Sequence, residues 1–276
     1  MKHPIILDAC TIINLLRIDE DEFLFKSIKS MDLHIANIVY QEVCSNVKKN
    51  SLSKEQKKYI QQIIPLFLSY SRQDADIIND LQEYFDKLTR FTAHTKKRNG
   101  ELLSSALSLC VSREKSQKVH FYTDDFPAKE QFSRYFSYQQ IGEVGDSVDL
   151  LIFLYWTKSD FSIEQLLRYL NDLKSEFNIP LKNLVNKIQT KKDLLTKKDK
   201  KEKSLIENID NILYGYLNAD MQLLNTGIVF FLEHKKFTAI KNIIQQFPNI
   251  EKECILFQKV RNTIQSLSSY EIFKIA

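Results

Sequence analysis

Short apolar runs alternate with segments of helical periodicity over the first 157 residues. Runs typical of buried strands lie at 3–7, 33–36, 119–122 and 138–144. Helical spacing of apolar residues fills the intervals, most clearly at 54–67, 77–91 and 101–111. Because parallel strands need crossover connections, which are usually helices, this order predicts an α/β fold with a parallel sheet flanked by helices.

After residue 157 the pattern is entirely helical. We expect a helical tail at 158–190 and an all-helical C-terminal extension at 191–276, whose role the sequence does not define. The expected helices lie near 162–173, 181–188, 236–246 and 251–265. The lysine-rich segment 191–203 is either an exposed linker or the polar start of a helix that continues through residue 224.

The composition excludes several classes of protein. Glycine accounts for five of 276 residues, and no glycine-rich phosphate-binding motif occurs. The longest uninterrupted apolar run, 150–156, is shorter than the roughly 18 residues that span a bilayer, so we expect no membrane partner. The four cysteines form no C-x-x-C pair and lie in apolar contexts, which predicts free, buried thiols. We therefore predict a soluble, cytoplasmic protein.

Acidic residues follow the predicted strands or begin the helices after them. Asp8 follows the first strand, Asp124 and Asp125 follow the strand at 119–122, and Glu42 and Glu101 lie in first turns of helices. Strand carboxyl ends share one edge of a parallel sheet, so we expect these carboxylates to meet there. Clustered carboxylates repel unless a cation neutralises them, and oxygen ligands favour Mg²⁺ or Mn²⁺. The pattern predicts a metal-dependent nuclease, although each acid alone also suits a helix cap.

Five short motifs within 4–151 resemble those of PIN domains, a fold of metal-dependent ribonucleases that includes bacterial toxins of toxin–antitoxin pairs. The motifs are Ile5-Ile6-Leu7-Asp8 ahead of a helix, 36–43 around Glu42, Gly100-Glu101 at a helix start, 122–129 around Asp124 and Asp125, and the Asp-Ser-Val-Asp-Leu-Leu segment at 146–151. The segment 164–188 resembles the helical tail of one bacterial PIN-like subgroup.

The resemblance implies a function and a set of site residues. It implies a PIN-like nuclease domain at 1–157 that acts as an endoribonuclease with Mg²⁺ or Mn²⁺, as a toxin or a defence effector. The implied metal ligands and catalytic acids are Asp8, Glu42, Glu101 and Asp124, with Asp125 as the alternative or partner of Asp124. Asn14, Thr123 and Ser147 would orient the carboxylates or water.

Basic residues concentrate in three stretches although the net charge of the chain is only +4. Segments 48–58, 96–98 and 191–203 carry net charges of +4, +3 and +4, and the rest of the chain sums to −7. Lys96, Lys97, Arg98 and Lys129 lie next to proposed acidic residues, which makes them candidates for contacting substrate. With nearby aromatic residues for stacking on unpaired bases, they favour single-stranded RNA over duplex.

Two alternatives use the same residues. The chain could be a catalytically inactive PIN-like scaffold that binds RNA or a protein partner, or a DNA nuclease with the same metal site. The C-terminal helices could bind a protein inhibitor or regulatory partner, or form a homo-oligomer.

Overall fold

The chain folds into two compact units. The computed structural model describes residues 3–49, 54–91, 99–197 and 199–269. The first unit extends through Tyr169, and the second begins at Leu170. The boundaries that the sequence predicts, at residues 157 and 190, lie on either side of this division.

A five-stranded, all-parallel sheet forms the centre of the first unit. The strands are β1 (Pro4–Leu7), β2 (Asp32–Ala36), β3 (Ser71–Arg72), β4 (Val119–Tyr122) and β5 (Gly142–Gly145). Their order is β3-β2-β1-β4-β5, with Leu7 opposite Tyr122 and Tyr122 opposite Gly145. All four residues of β1 are buried, as expected for the central strand of a parallel sheet. The predicted α/β fold class is therefore confirmed.

Helices connect and flank these strands. They are α1 (Ala9–Ile18), α2 (Phe23–Lys29), α3 (Asn37–Lys49), α4 (Lys54–Phe67), α5 (Asp74–Asp80), α6 (Gln82–Phe91), α7 (Gly100–Lys115), α8 (Phe126–Gln139), α9 (Ser147–Thr157) and α10 (Ile163–Asp193). Helix α7 packs against β1, β2 and β4, and every residue from Leu102 to Val111 is buried. A helix held this closely fixes the position of its N-terminus relative to the strand ends.

Three sequence expectations need correction in this unit. The strand predicted at 138–144 is wrong in its first half, because Tyr138 lies in the last turn of α8 and is 83% exposed. Gln140 then adopts a left-handed conformation that ends the helix, and β5 begins only at Gly142. Strand β3 was not predicted, since it has two polar residues. The predicted helix at 77–91 is two helices, which break at Leu81.

The second unit is helical, as predicted. After the remainder of α10 it contains α11 (Lys203–Leu217), α12 (Met221–Glu233), α13 (Thr238–Ile244) and α14 (Ile250–Ser269). Helices α11 and α12 pack closely at two glycines: a Cβ on Gly215 would lie 2.5 Å from the backbone nitrogen of Leu224, and one on Gly227 would lie 2.7 Å from the carbonyl oxygen of Asn208. The side-chain-free positions let the two backbones approach.

Two helix boundaries in the C-terminal half differ from the expectation. The predicted helices near 162–173 and 181–188 form one helix, α10, which continues through Pro180. The lysine-rich segment is not the start of a helix through residue 224, because α11 begins at Lys203 and ends at Leu217. No helix in the described ranges has both the length and the apolar character needed to cross a bilayer.

The cysteines are free thiols, as predicted. Cys110 and Cys254 are buried, which also matches the prediction. Cys10 and Cys44 instead keep partial exposure. Cys10 is in the first turn of α1, next to the candidate site.

Candidate active site

The carboxyl ends of the two central strands define the candidate site. Strand order reverses at β1, which is where ligands bind in open parallel α/β sheets. Asp8 follows β1, and Thr123 and Asp124 follow β4 directly. The backbone N–H of Asp8 donates to the carbonyl of Tyr122 at 3.0 Å, which extends the strand pairing to the acidic residue. Asp8 and Asp124 are therefore fixed at neighbouring strand ends.

Asp8 is buried, with 2% of its surface exposed, and its two carboxylate oxygens have unequal surroundings. Its Oδ2 accepts hydrogen bonds from the thiol of Cys10 at 2.9 Å and from the hydroxyl of Thr123 at 3.1 Å. Its Oδ1 is buried and has no hydrogen-bond partner among the residues that the structure describes. Buried polar atoms are nearly always paired, so this oxygen marks a position where a ligand would be favourable.

Glu42 approaches the unpaired oxygen of Asp8 beside Gly100. A Cβ on Gly100 would lie 2.7 Å from Glu42 Oε2 and 3.0 Å from Asp8 Oδ1, so both oxygens lie close to one point. The backbone N–H of Gly100 hydrogen-bonds to the carboxylate of Glu42. Gly100 is the first residue of α7, where the helix dipole also favours negative charge.

The charges of three predicted acids, Asp8, Asp125 and Glu42, act on the carboxyl group of a fourth, Glu101. Burial, followed by the charge of Asp8, raises the pKa of Glu101 to about 7, and the charges of Asp125 and Glu42 add to the shift. Burial and then the charge of Asp8 also raise the pKa of Glu42, although the Gly100 N–H opposes this. The cluster therefore favours binding of protons or of a cation.

Asp124 is held from two sides and is fully buried. The side-chain amide of Asn14 donates to its Oδ2 at 2.7 Å, and the backbone N–H of Ser147 donates to its Oδ1 at 2.8 Å. The Ser147 hydroxyl also donates to Oδ2. The three residues expected to orient carboxylates thus all contact one, with Asn14 and Ser147 on Asp124 and Thr123 on Asp8.

Asp125 caps helix α8. Its carboxylate accepts from the backbone N–H of Ala128 at 2.9 Å, and its own N–H donates to the Thr123 hydroxyl at 3.1 Å. This is the capping role that its position in the sequence also allowed. Its charge still reaches the site, because it contributes to the raised pKa of Glu101.

Lys129 is paired with two carboxylates. Its ammonium group lies 2.6 Å from Asp146 Oδ2 and 2.9 Å from Asp149 Oδ2. Asp146 is 1% exposed and forms a capping box with Asp149 at the start of α9, directly before Ser147. Lys129 therefore stabilises the helix start that carries Ser147. The other predicted cations, Lys96, Lys97 and Arg98, lie outside the described residues.

Sequence reasoning missed three polar residues at this edge. The apolar neighbours of Cys10 predict a buried thiol, yet its thiol contacts Asp8, and its position two residues after Asp8 is the available signal. Asp74 follows β3, accepts from the N–H of Ile38 at 3.2 Å and adds to the raised pKa of Glu42. It was missed because β3 was not predicted. Asp146 belongs to the motif at 146–151, but nothing in the sequence indicates its pairing with Lys129.

The residues fit a hydrated divalent cation better than a closed metal cage. Within the described ranges, no three His, Cys, Asp or Glu side chains are arranged to hold one ion. Mg²⁺, however, usually keeps several waters and needs only one or two carboxylates. Asp8 and Glu42 supply such a pair, with the unpaired Oδ1 of Asp8 beside Glu42 Oε2.

Comparison of the chain with protein-family models, with curated proteins and with solved structures finds no match. The resemblance to PIN domains therefore depends on the sequence motifs alone.

Proposed function

We propose that this chain is a PIN-type endoribonuclease that depends on Mg²⁺ or Mn²⁺. The observation that carries the proposal is the buried, unpartnered Oδ1 of Asp8, which faces the same point as the carboxylate of Glu42. A carboxylate pair of this kind is costly unless a cation or a proton neutralises it. A hydrated cation would bind the unpaired Oδ1 of Asp8 and would also offset the repulsion between the carboxylates of Asp8 and Glu42.

Different residues of the site would bind the cation, orient the carboxylates and accept a proton. When bound, Mg²⁺ or Mn²⁺ stabilises negative charge on a phosphate and makes water more acidic. Asp8 and Glu42 would bind the cation, while Asn14 and Ser147 keep Asp124 oriented at the next strand end. Glu101, with its pKa raised to about 7, is suited to accept a proton at neutral pH.

The proposed substrate is single-stranded RNA. Lys96, Lys97 and Arg98 directly precede Asn99 in the sequence, and three cations so close in sequence to the proposed acidic residue Glu101 suit a polyanion. We expect Lys129 to support the site, because its ammonium group pairs with Asp146 and Asp149. We expect the enzyme to meet RNA in the cytoplasm, as a toxin or defence effector that a protein inhibitor could restrain.

A non-catalytic PIN-like scaffold that binds RNA or protein is the second candidate. It is favoured by one observation, that the described residues include no group of three metal-binding side chains. A DNA nuclease would use the same carboxylates and is distinguished by its substrate.

The test is a cleavage assay on the full chain with end-labelled single-stranded RNA, single-stranded DNA and duplex, in Mn²⁺, Mg²⁺ or chelator. We expect RNA cleavage with either metal and none in chelator. Asp8→Asn should abolish it, whereas Asp160→Asn, a matched change of an exposed acid, should not. Metal-dependent loss of DNA alone would identify a DNA nuclease. Binding of RNA without cleavage would favour the scaffold.

A further inference from the structure

The thiol of Cys10 connects the two central carboxylates of the candidate site. Its Sγ donates to Asp8 Oδ2 at 2.9 Å and accepts from the backbone N–H of Asp124 at 3.2 Å. The hydroxyl of Thr123 lies 3.7 Å from the same sulfur. One side chain on α1 therefore contacts the end of β1 and the end of β4.

These contacts determine which oxygen of Asp8 is left for a ligand. Oδ2 has two donors, Cys10 and Thr123, on one side of the carboxylate. With Oδ2 held in this way, Oδ1 is directed to the point beside Gly100 that Glu42 Oε2 also approaches. Without the hydrogen bond from Cys10, only Thr123 would hold Oδ2, and the carboxylate of Asp8 could rotate toward Thr123.

We propose that Cys10 is a positioning residue that orients Asp8 for a divalent cation and couples Asp8 to Asp124. The proposal rests on the proposed metal-dependent function, since it assigns a role within that same site. The hydrogen bonds of the thiol support this role. Removing a residue that orients a ligating carboxylate typically weakens metal binding by about 10- to 100-fold.

Two substitutions separate the hydrogen bonds from the volume of the side chain. Cys10→Ala removes both the donor to Asp8 and the acceptor for the Asp124 N–H, whereas Cys10→Ser keeps a donor and an acceptor at the same place. Cys254→Ala, which removes a buried thiol from the second unit, is the matched control.

The experiment is isothermal titration of the full chain with Mn²⁺, together with circular dichroism to verify folding. We expect Cys10→Ala to weaken Mn²⁺ binding by about tenfold or more, and Cys10→Ser and Cys254→Ala to stay close to the wild type. In the RNA assay, Cys10→Ala should lower kcat and leave KM for RNA nearly unchanged, because Cys10 acts through Asp8.

The outcomes distinguish this proposal from the proposed function. Mn²⁺ binding of equal strength by wild type and Cys10→Ala would overturn the role of Cys10 and leave the nuclease site standing. A folded Cys10→Ser that loses as much affinity as Cys10→Ala would overturn the role of the hydrogen bonds. A wild type that binds no Mn²⁺ would overturn both proposals.

Discussion

The carboxylates of Asp8 and Glu42 converge beside the α-carbon of the first residue of α7. That residue is Gly100, where a Cβ would lie 2.7 Å from Glu42 Oε2 and 3.0 Å from Asp8 Oδ1. The absence of a side chain at this helix start makes room for the two acids. Because the Gly100 N–H also hydrogen-bonds to the Glu42 carboxylate, Gly100 both leaves space for this carboxylate and binds it.

Gly100→Ala should therefore impair activity without unfolding the protein. The added methyl must displace the Glu42 carboxylate, and misplaced catalytic groups lower rates by about 10- to 100-fold. Stability should change by less than about 1 kcal/mol, since alanine is the better helix former and offsets part of the strain. RNA cleavage and thermal unfolding measure the two effects. RNA cleavage by Gly100→Ala equal to that by the wild type would show that Glu42 does not need its present position.

Asp8→Asn should abolish cleavage and, without metal, stabilise the fold. The asparagine oxygen can accept from Cys10 and Thr123, which places the amide nitrogen where Oδ1 now lies without a partner. That nitrogen would donate toward Glu42, and a hydrogen bond to a charged group contributes about 1.5 to 3 kcal/mol. We expect a higher melting temperature in chelator than for the wild type.

Added metal should favour the wild type in this comparison of melting temperatures. Ligand binding to the folded state raises its stability, so Mn²⁺ should raise the melting temperature of the wild type more than that of Asp8→Asn. Equal shifts in the two proteins would argue against Asp8 as a metal-binding residue. Asp160→Asn again serves as the control, because its carboxylate is exposed.

The raised pKa of Glu101 predicts a pH dependence of stability in the metal-free protein. The pKa of Glu101 is about 7 in the folded state against the ordinary glutamate value of 4.5, so the folded state holds this proton more tightly than the unfolded state. The contribution is complete below about pH 4.5 and is lost as the pH rises through about 7. Between these values, Glu101 lowers stability as the pH increases.

Glu101→Gln isolates this effect from those of the other ionisable groups. Because glutamine is neutral throughout, the melting temperature of Glu101→Gln minus that of the wild type should increase from about pH 5 to about pH 8 in chelator. His34 and His120 are present in both proteins, so their contributions cancel. A difference that does not change with pH would contradict the raised pKa.

The strand ends and their acids could be predicted because buried parallel strands have a strong sequence signal. The apolar runs at 4–7 and 119–122 are followed directly by Asp8 and by Thr123-Asp124, and topology alone brings those ends together. Strand β3 has no such signal, since its two residues are polar and, among the described residues, it pairs with β2 alone. Asp74 was missed with it.

The partners of the acids were less predictable than the acids themselves. Lys129 has the position of a substrate-binding cation in the sequence, but its ammonium reaches Asp146 and Asp149, which are 17 and 20 residues away. The apolar neighbours of Cys10 predict a buried thiol, yet its thiol contacts Asp8 and the backbone N–H of Asp124 at the strand ends. Side-chain direction at the start of a helix depends on backbone geometry that periodicity does not specify.

The ion pair between Lys129 and Asp146 should contribute to the stability of the fold. Asp146 is 1% exposed, so Lys129→Met would leave a buried carboxylate without its cation and should cost about 3 kcal/mol of unfolding free energy. Lys129→Met with Asp146→Asn should recover much of the loss, because asparagine is neutral and can still cap α9. Urea denaturation of the two single variants and the double variant measures the coupling energy. If Lys129 instead binds RNA, Lys129→Met would raise KM for RNA at unchanged stability, and the double variant would show no coupling.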